Sequence, residues 1–354
     1  MGQCRKLHNI RKWTVSILVL ILLLSYLRHV VNERRVILAR LAGIAKDHPR
    51  QLVTVPAIHV KHSFVKEQAT RNDNNETVNL CPKVPPNLTG AFFVNMEPES
   101  FEEIQNRHPY IKPGGRFQPL DCKSRHRVAI IVPFRDRESH LKILLENLLP
   151  MLERQQLDYG IYVVEMAMPT TFNRAVLMNI GYTEALKDYD FQCFIFHDVD
   201  HVPENDLNLY NCQRSPSHLA VSVDKNNYKL PYPSAFGGVV ALTKDHVIKV
   251  NGWSNMYFGW GCEDDDLYRR IHLNGLKVSR GPAEIGRYKM IKHIRDKTNQ
   301  KNKYRGKLLK GMKTRMKSDG LNSLKYDVLK REYRPLFAYI FVRIPVEGDT
   351  KSHH

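Results

Sequence analysis

Four consecutive acids, Glu263-Asp264-Asp265-Asp266, follow the aromatic and glycine-rich string Tyr257-Phe258-Gly259-Trp260-Gly261-Cys262. A carboxylate in that company can take the proton of an attacking hydroxyl as a general base. The indole of Trp260 offers an apolar face with a polar edge, which suits a sugar ring. The same acids also suit a helix N-terminus, where carboxylates are favoured by the macrodipole. Leu267 to Ile271 reads as that helix, and both roles can hold together. A second acidic pair, Asp198-Val199-Asp200, closes the apolar run FQCFIF. Alternate residues of an extended chain point to one side, so the two carboxylates can present hard oxygens to Mg²⁺ or Mn²⁺. An ordinary acidic turn after a strand is the competing reading.

Two arginine-bearing segments could meet an anion. Pro133-Phe134-Arg135-Asp136-Arg137 offers planar guanidinium donors beside an aromatic ring. Phe172-Asn173-Arg174 offers another, with Asn173 placed as a helix N-cap. Taken singly, each could be a solvated turn or a cap. Met290 and His293 stand three apart in a basic stretch. On spacing alone His293 reads as a surface histidine, and Met290 is a soft partner for a hard cation.

The elements that must position these groups alternate. RVAIIV (127–132) is a short β-branched run and reads as a buried strand. Leucines at helical spacing over 138–154 follow, then a strand over 159–165, a helix over 172–187 and a strand over 191–196. This alternation is that of a parallel α/β sheet, in which ligands bind beyond the carboxyl ends of the strands. The 133–137 segment and Asp198-Val199-Asp200 both fall at such ends. Residues 287–317 hold thirteen Lys and Arg against the single acid Asp296. We expect a surface segment there, with one short helix.

The chain has 354 residues and a formal net charge of +18. So basic a protein can meet nucleic acid, anionic lipid or a phosphorylated small molecule. A polyanion would be repelled by the carboxylate cluster, so nucleic acid is not an expected partner. The uncharged run over 13–27 extends to Val31 if Arg28 and His29 snorkel. A cleaved signal peptide and an uncleaved signal anchor both fit; the end Ser-Tyr-Leu-Arg lacks a small-x-small cleavage pattern, which favours the anchor. Sequons at Asn75 and Asn87 and the cysteines Cys81, Cys122, Cys193 and Cys212 suit an oxidising lumen. The layout expected is a cytoplasmic tail over 1–12, a transmembrane helix over 13–31, a stem over 32–80, a catalytic domain over 81–345 and a disordered tail over 346–354.

The strings VAIIVPFRDR, FNRA, HDVD, LPY…FGGV, GWGCEDDD, MIKHIRD and SDGLNSL occur in that order, and the chain so resembles the β-1,4-galactosyltransferase family from about Cys81 to Ile344. The resemblance implies a GT-A nucleotide-diphospho-sugar transferase fold, α/β with a mixed, mainly parallel central sheet, behind a type II Golgi membrane anchor. It implies Mn²⁺ as cofactor and inverting transfer from a UDP-sugar to a terminal N-acetylglucosamine. Carried over by position, Pro133, Phe134, Arg135, Asp136, Arg137, Phe172, Asn173, Arg174, Val199, Asp200, Trp260, His293, Ile294 and Arg295 fall at the donor. Asp200, Met290 and His293 match the metal ligands, so the resemblance reverses the surface reading of His293. Asp264 takes the place of the catalytic base with Glu263 beside it. Cys262, Glu263, Asp264, Asp265 and Arg305 fall at the acceptor. Cys81 with Cys122, and Cys193 with Cys212, match the family's disulfides.

One departure bears on the donor. Ala235 stands where galactose-specific members carry tyrosine, so space for an N-acetyl group is expected and UDP-GalNAc is favoured over UDP-Gal. Strict galactosyl transfer is the alternative, and a non-catalytic basic glycan-binding membrane protein is a further one. Expected partners are the UDP-sugar, an N-acetylglucosamine-terminated glycan and the membrane, with a homodimer as an option.

Overall fold

A computed structural model of the chain describes residues 79–292 and 299–345. The expected tail, transmembrane helix and most of the stem, the sequon at Asn75, the segment His293 to Arg295 and the tail from 346 lie outside the described residues. Among the described residues no helix is long and apolar enough to cross a membrane.

Helix α1 (Phe101–Arg107) opens with a capping box, the Ser100 and Glu103 side chains each accepting from the other residue's backbone N–H. Strand β1 (Arg127–Phe134), helix α2 (Glu138–Arg154), strand β2 (Asp158–Met166), helix α3 (Arg174–Asp188) and strand β3 (Cys193–His197) follow in the alternation expected. Beyond them come β4 (His201–Pro203), β5 (Ser217–His218), β6 (Ser222–Val223), β7 (Val239–Thr243) and α4 (Lys244–Lys249). Next are α5 (Glu263–Leu273), β8 (Ser279–Arg280), β9 (Arg287–Met290), α6 (Arg305–Lys310) and α7 (Met312–Arg315). The chain closes with β10 (Asp327–Tyr333) and β11 (Ala338–Arg343).

Eight strands form one mixed sheet in the order β10-β11-β2-β1-β3-β7-β5-β8. The central pairings β11/β2, β2/β1 and β1/β3 are parallel, and β10 and β7 flank them antiparallel. A smaller sheet runs β4-β9-β6.

Period-two alternation in β1 divides the core. Val128, Ile130 and Val132 pack with the leucines of α2 on one face; Ala129 and Ile131 pack with α3, Phe236 and Trp253 on the other. Each fully buried leucine of α2 contributes about 1.5–3 kcal/mol by leaving water. Disulfides join Cys81 to Cys122 and Cys193 to Cys212. The first staples the start of the domain, and the second ties the base of β3 to the loop after β4. Cys262 is a free thiol.

The basic stretch differs from expectation. It opens as strand β9, with Tyr288 fully buried against the core, and it carries two short helices, α6 and α7. The apolar Tyr288 and Met290 at alternate positions suit the strand Arg287-Tyr288-Lys289-Met290, a signal masked by the charges between them.

Candidate active site

A cleft of about 860 Å³ opens at the carboxyl ends of β1 and β3. Pro133, Arg135, Arg137, Phe172, Arg174, Val199, Asp200, Trp260, Glu263, Asp264 and Met290, all expected at the site, line it. Phe134, Asp136, Asn173, Ala235, Cys262, Asp265 and Arg305 do not form its wall. His293, Ile294 and Arg295 lie outside the described residues.

Local structure accounts for where these residues sit. Asn173 is fully buried; its side chain accepts from the Val176 N–H as the expected N-cap and donates to the Asn255 carbonyl. Phe134 ends β1 with its ring in the core. Asp136 is exposed in a left-handed turn at φ 50°. Ala235 is 5 % exposed, and its carbonyl accepts from the Arg280 guanidinium at 2.9 Å.

One wall is the acidic end of β3. The Asp198 N–H donates to the Gly238 carbonyl at 3.0 Å, which pins the turn against β7. The Arg174 guanidinium, presented by the first residue of α3, pairs with Asp198 at 2.5 Å and stands 3.7 Å from Glu263. Burial alone would lower the pKa of Arg174, but the charges of Asp198 and Glu263 outweigh it and raise it. Arg174 thus bridges the two acidic walls. Asp198, Asp200 and His201 place one ligand atom each within 4.8 Å of one another. Antiparallel pairing sets His201 opposite Met290, and the Ile291 N–H donates to the Asp200 carbonyl at 2.8 Å. Two carboxylates, an imidazole and a thioether nearby are a donor set that fits a first-row divalent cation.

The opposite wall is the N-terminus of α5. Cys262 stands at its N-cap position in a left-handed conformation at φ 73°, and of the acids that follow, Glu263 and Asp264 line the cleft. Burial and the neighbouring Asp264 charge push the Glu263 carboxyl up to about 7, against the opposing charge of Arg174. Asp264 is also raised, chiefly by burial. Its Oδ1 accepts from the Asp265 N–H at 3.0 Å. Gly237 lies against its Oδ2, where an added Cβ would come to 2.6 Å.

Trp260 forms the rim and is 48 % exposed. Its N–H donates to the Gln300 carbonyl at 2.9 Å, and its carbonyl accepts from the Asn302 N–H at 3.0 Å. That pairing needs Gly259, whose Cβ would otherwise meet the Gln300 oxygen at 2.4 Å, and Gly261, against which Arg305 packs. Both take positive φ. The glycines flanking Trp260 therefore serve backbone approach as well as exposure of the ring.

The residues missed in the sequence are informative. His140, Asp224, Lys225 and Lys292 line the cleft, as does His201 beside the expected Asp198 and Asp200. Asp224 accepts from the Met290 N–H at 2.9 Å, a contact between segments 66 residues apart that no local pattern signals. His201 directly follows the acidic pair, and that adjacency was the available clue.

A strand-end metal cluster facing a helix N-terminus with basic carboxylates, on a mixed α/β sheet of this order, defines a metal-dependent nucleotide-sugar transferase of GT-A type. The comparisons with known proteins narrow this. Residues 81–213 match the family model for the N-terminal region of glycosyl transferase group 7, and residues 217–294 match that for the N-terminal domain of galactosyltransferase. The chain is 51 % identical over 262 residues to β-1,4-galactosyltransferase 3 of Bos taurus, covering 73 % of this chain and 66 % of that protein. It is 50 % identical over 298 residues to β-1,4-galactosyltransferase 4 of Cricetulus griseus, covering 83 % and 86 %. A crystal structure of a mutant Drosophila β-1,4-galactosyltransferase 7 with manganese, UDP-Gal and xylobiose superposes with a TM-score of 0.54 at 27 % identity, covering 63 % of this chain and 96 % of that one. The chain belongs to glycosyltransferase group 7, the β-1,4-galactosyltransferase family.

Proposed function

We propose that the chain transfers galactose from UDP-galactose, with inversion and in β-1,4 linkage, to the terminal N-acetylglucosamine of a glycoconjugate. The observation that carries this reading is that Asp264 and the Asp198-Asp200-His201 cluster line one cleft, about 860 Å³ in volume. Its relatives bear galactosyltransferase names. The preference for UDP-GalNAc expected from Ala235 has no such support, because Ala235 is buried off the cleft wall. Galactose is the donor we propose.

In this mechanism Arg135 and Arg137 at the end of β1 face the departing diphosphate and offset its growing negative charge. The ring of Phe172 sits beneath the Arg135 guanidinium, 4.8 Å from its centroid, and Arg135 also donates to the Thr170 carbonyl at 2.7 Å. Both contacts hold the guanidinium in place. Asp200, with Asp198, His201 and Met290 around it, would hold Mn²⁺. That ion supplies Lewis acidity against the diphosphate when bound. Asp264 accepts the proton of the acceptor hydroxyl as that oxygen bonds to the sugar C1 and the bond from C1 to the phosphate oxygen breaks. Burial raises the basicity of Asp264 for this task. Trp260 on the rim stacks on a sugar face.

We further propose a Golgi membrane location with the catalytic domain in the lumen. The two disulfides suit an oxidising compartment, and Asn87 of the second sequon is exposed.

UDP release from the full chain with Mn²⁺ and an N-acetylglucosamine acceptor tests the activity, with UDP-Gal and UDP-GalNAc as parallel donors. Faster turnover of UDP-Gal is expected. A higher kcat/KM for UDP-GalNAc would reverse the donor assignment, and no acceptor-dependent release with either sugar would remove the transferase reading.

A further inference from the structure

Helix α6 has six residues and buries none of them. So short a helix is marginal by itself, and without an apolar anchor its place is set by polar ties. We propose that Arg315 is a positioning residue for the acceptor: it ties α6 to α5 and so fixes Arg305 beside the path to Asp264. The inference rests on the transferase reading above.

One guanidinium reaches three parts of the chain. Arg315 Nη1 donates to the Leu308 carbonyl of α6 at 2.9 Å. Its Nη2 donates to Asp266 Oδ2 of α5 at 3.1 Å, and its Nε to Asp319 Oδ2 at 2.8 Å. The last carbonyls of a helix lack partners within it, and a cation placed there also meets the negative end of the helix dipole. Asp266 is fully buried and accepts from the Tyr257 hydroxyl at 2.9 Å, so the α5 end of the tie is rigid. A second tie, from Arg269 Nη1 to the Leu309 carbonyl, is longer at 3.4 Å.

The opposite end of α6 meets the site. An added Cβ on Gly261 would come to 2.9 Å from Arg305 Cδ, and Gly261 stands between the rim residue Trp260 and Cys262 at the start of α5. Burial raises the pKa of the Cys262 thiol, and the Arg305 charge opposes that rise, so the guanidinium acts at the end of α5 that carries the base. Trp260 and Asp264 line one cleft. A shift of α6 therefore moves a cation beside the path by which a sugar hydroxyl reaches Asp264.

The competing role is structural only: Arg315 balances Asp266 and Asp319 and affects neither substrate. Arg315→Lys separates the two. It keeps a positive charge before both acids, but a compact ammonium lacks the planar fork that spans three partners, so Leu308 is released. Arg315→Gln removes the charge as well. On the full chain with Mn²⁺, initial rates are measured over ranges of UDP-Gal and N-acetylglucosamine, beside thermal melts and hydrogen exchange of the amides over 305–311. In both variants the acceptor KM should rise about tenfold or more, and the KM for UDP-Gal should stay within about twofold. The 305–311 amides should exchange faster, and the Lys variant should melt close to the wild type. A wild-type acceptor KM in both variants, with kcat falling only as the melt does, overturns the proposal; so does unchanged exchange over 305–311. A wild-type chain without acceptor-dependent turnover sinks the transferase reading and this inference with it, whereas wild-type turnover with an unmoved acceptor KM in the variants sinks this inference alone.

Discussion

Gly237→Ala is the sharpest test of Asp264 as the base. The added methyl would come to 2.6 Å from Asp264 Oδ2, whereas carbon and oxygen rest about 3.3 Å apart at van der Waals contact. The carboxylate must therefore retreat by about 0.7 Å or rotate. Rotation works against the Asp265 N–H, which holds Oδ1 at 3.0 Å. A base displaced by about 1 Å costs up to about 100-fold in rate, so a loss of about 10–100-fold in kcat is expected, or about 1.4–2.8 kcal/mol of barrier. The KM for UDP-Gal should stay within about twofold, because the metal cluster and Arg135 are untouched. Overpacking at one methyl costs about 1–3 kcal/mol of stability, so a thermal melt reads a modest shift with the fold intact. Initial-rate kinetics at saturating Mn²⁺ over a range of donor concentrations give both parameters. If Gly237→Ala turns over at the wild-type kcat, Asp264 is not placed by this contact and the assignment of the base is wrong.

Asp264→Asn removes the proton acceptor while keeping the shape, and kcat should fall by about 10²–10⁴-fold with Mn²⁺ affinity unchanged by calorimetry. Because burial raises the Asp264 carboxyl, the base loses its proton only above the ordinary carboxylate range; kcat should rise with pH along an acid limb that lies above that range and fall away below it. Arg174 opposes that shift, so Arg174→Gln should move the acid limb to higher pH, and a pH–rate profile with the limb in place or moved down refutes the assignment. Arg270 is fully buried and pairs with Asp266 at 2.6 Å and Asp319 at 3.3 Å; Arg270→Ala leaves both acids to the half-buried Arg315, at 3.1 and 2.8 Å, and denaturant unfolding should show a loss of about 3 kcal/mol, the low end for a broken buried pair.

Those buried ions also show where reading the sequence succeeds and where it stops. Helix α2 was legible to the residue, because its leucines repeat at helical spacing and nothing else in the segment competes. Helix α3 begins two residues later than expected, since Asn173 caps it from outside. Strand β3 starts at Cys193 rather than Phe191, whose ring is spent in the core below the strand. The places of β7 and β11 in the sheet were not legible, because β3/β7 and β2/β11 pair segments far apart in the chain. The site followed the same division. Asp200, Arg135 and Asp264 announced themselves by standing at strand or helix ends, whereas Asp224 and His140 reach the cleft only through folding. Ala235 is a different case: its position in the string is plain, but its burial is set by the fold.

Strand β11, made from residues 338–343, does not lie at the border of the sheet. It is inserted between β10 and β2, with Ala338 beside Tyr162 and Val342 beside Met166. The last strand to leave the ribosome is thus needed to complete the centre. A nascent chain still tethered at its C-terminus presents β2 with a bare row of amides and carbonyls, open to pairing with another chain. Products ending before residue 338 cannot shield that row, so early stops are expected to yield aggregates rather than a shorter enzyme.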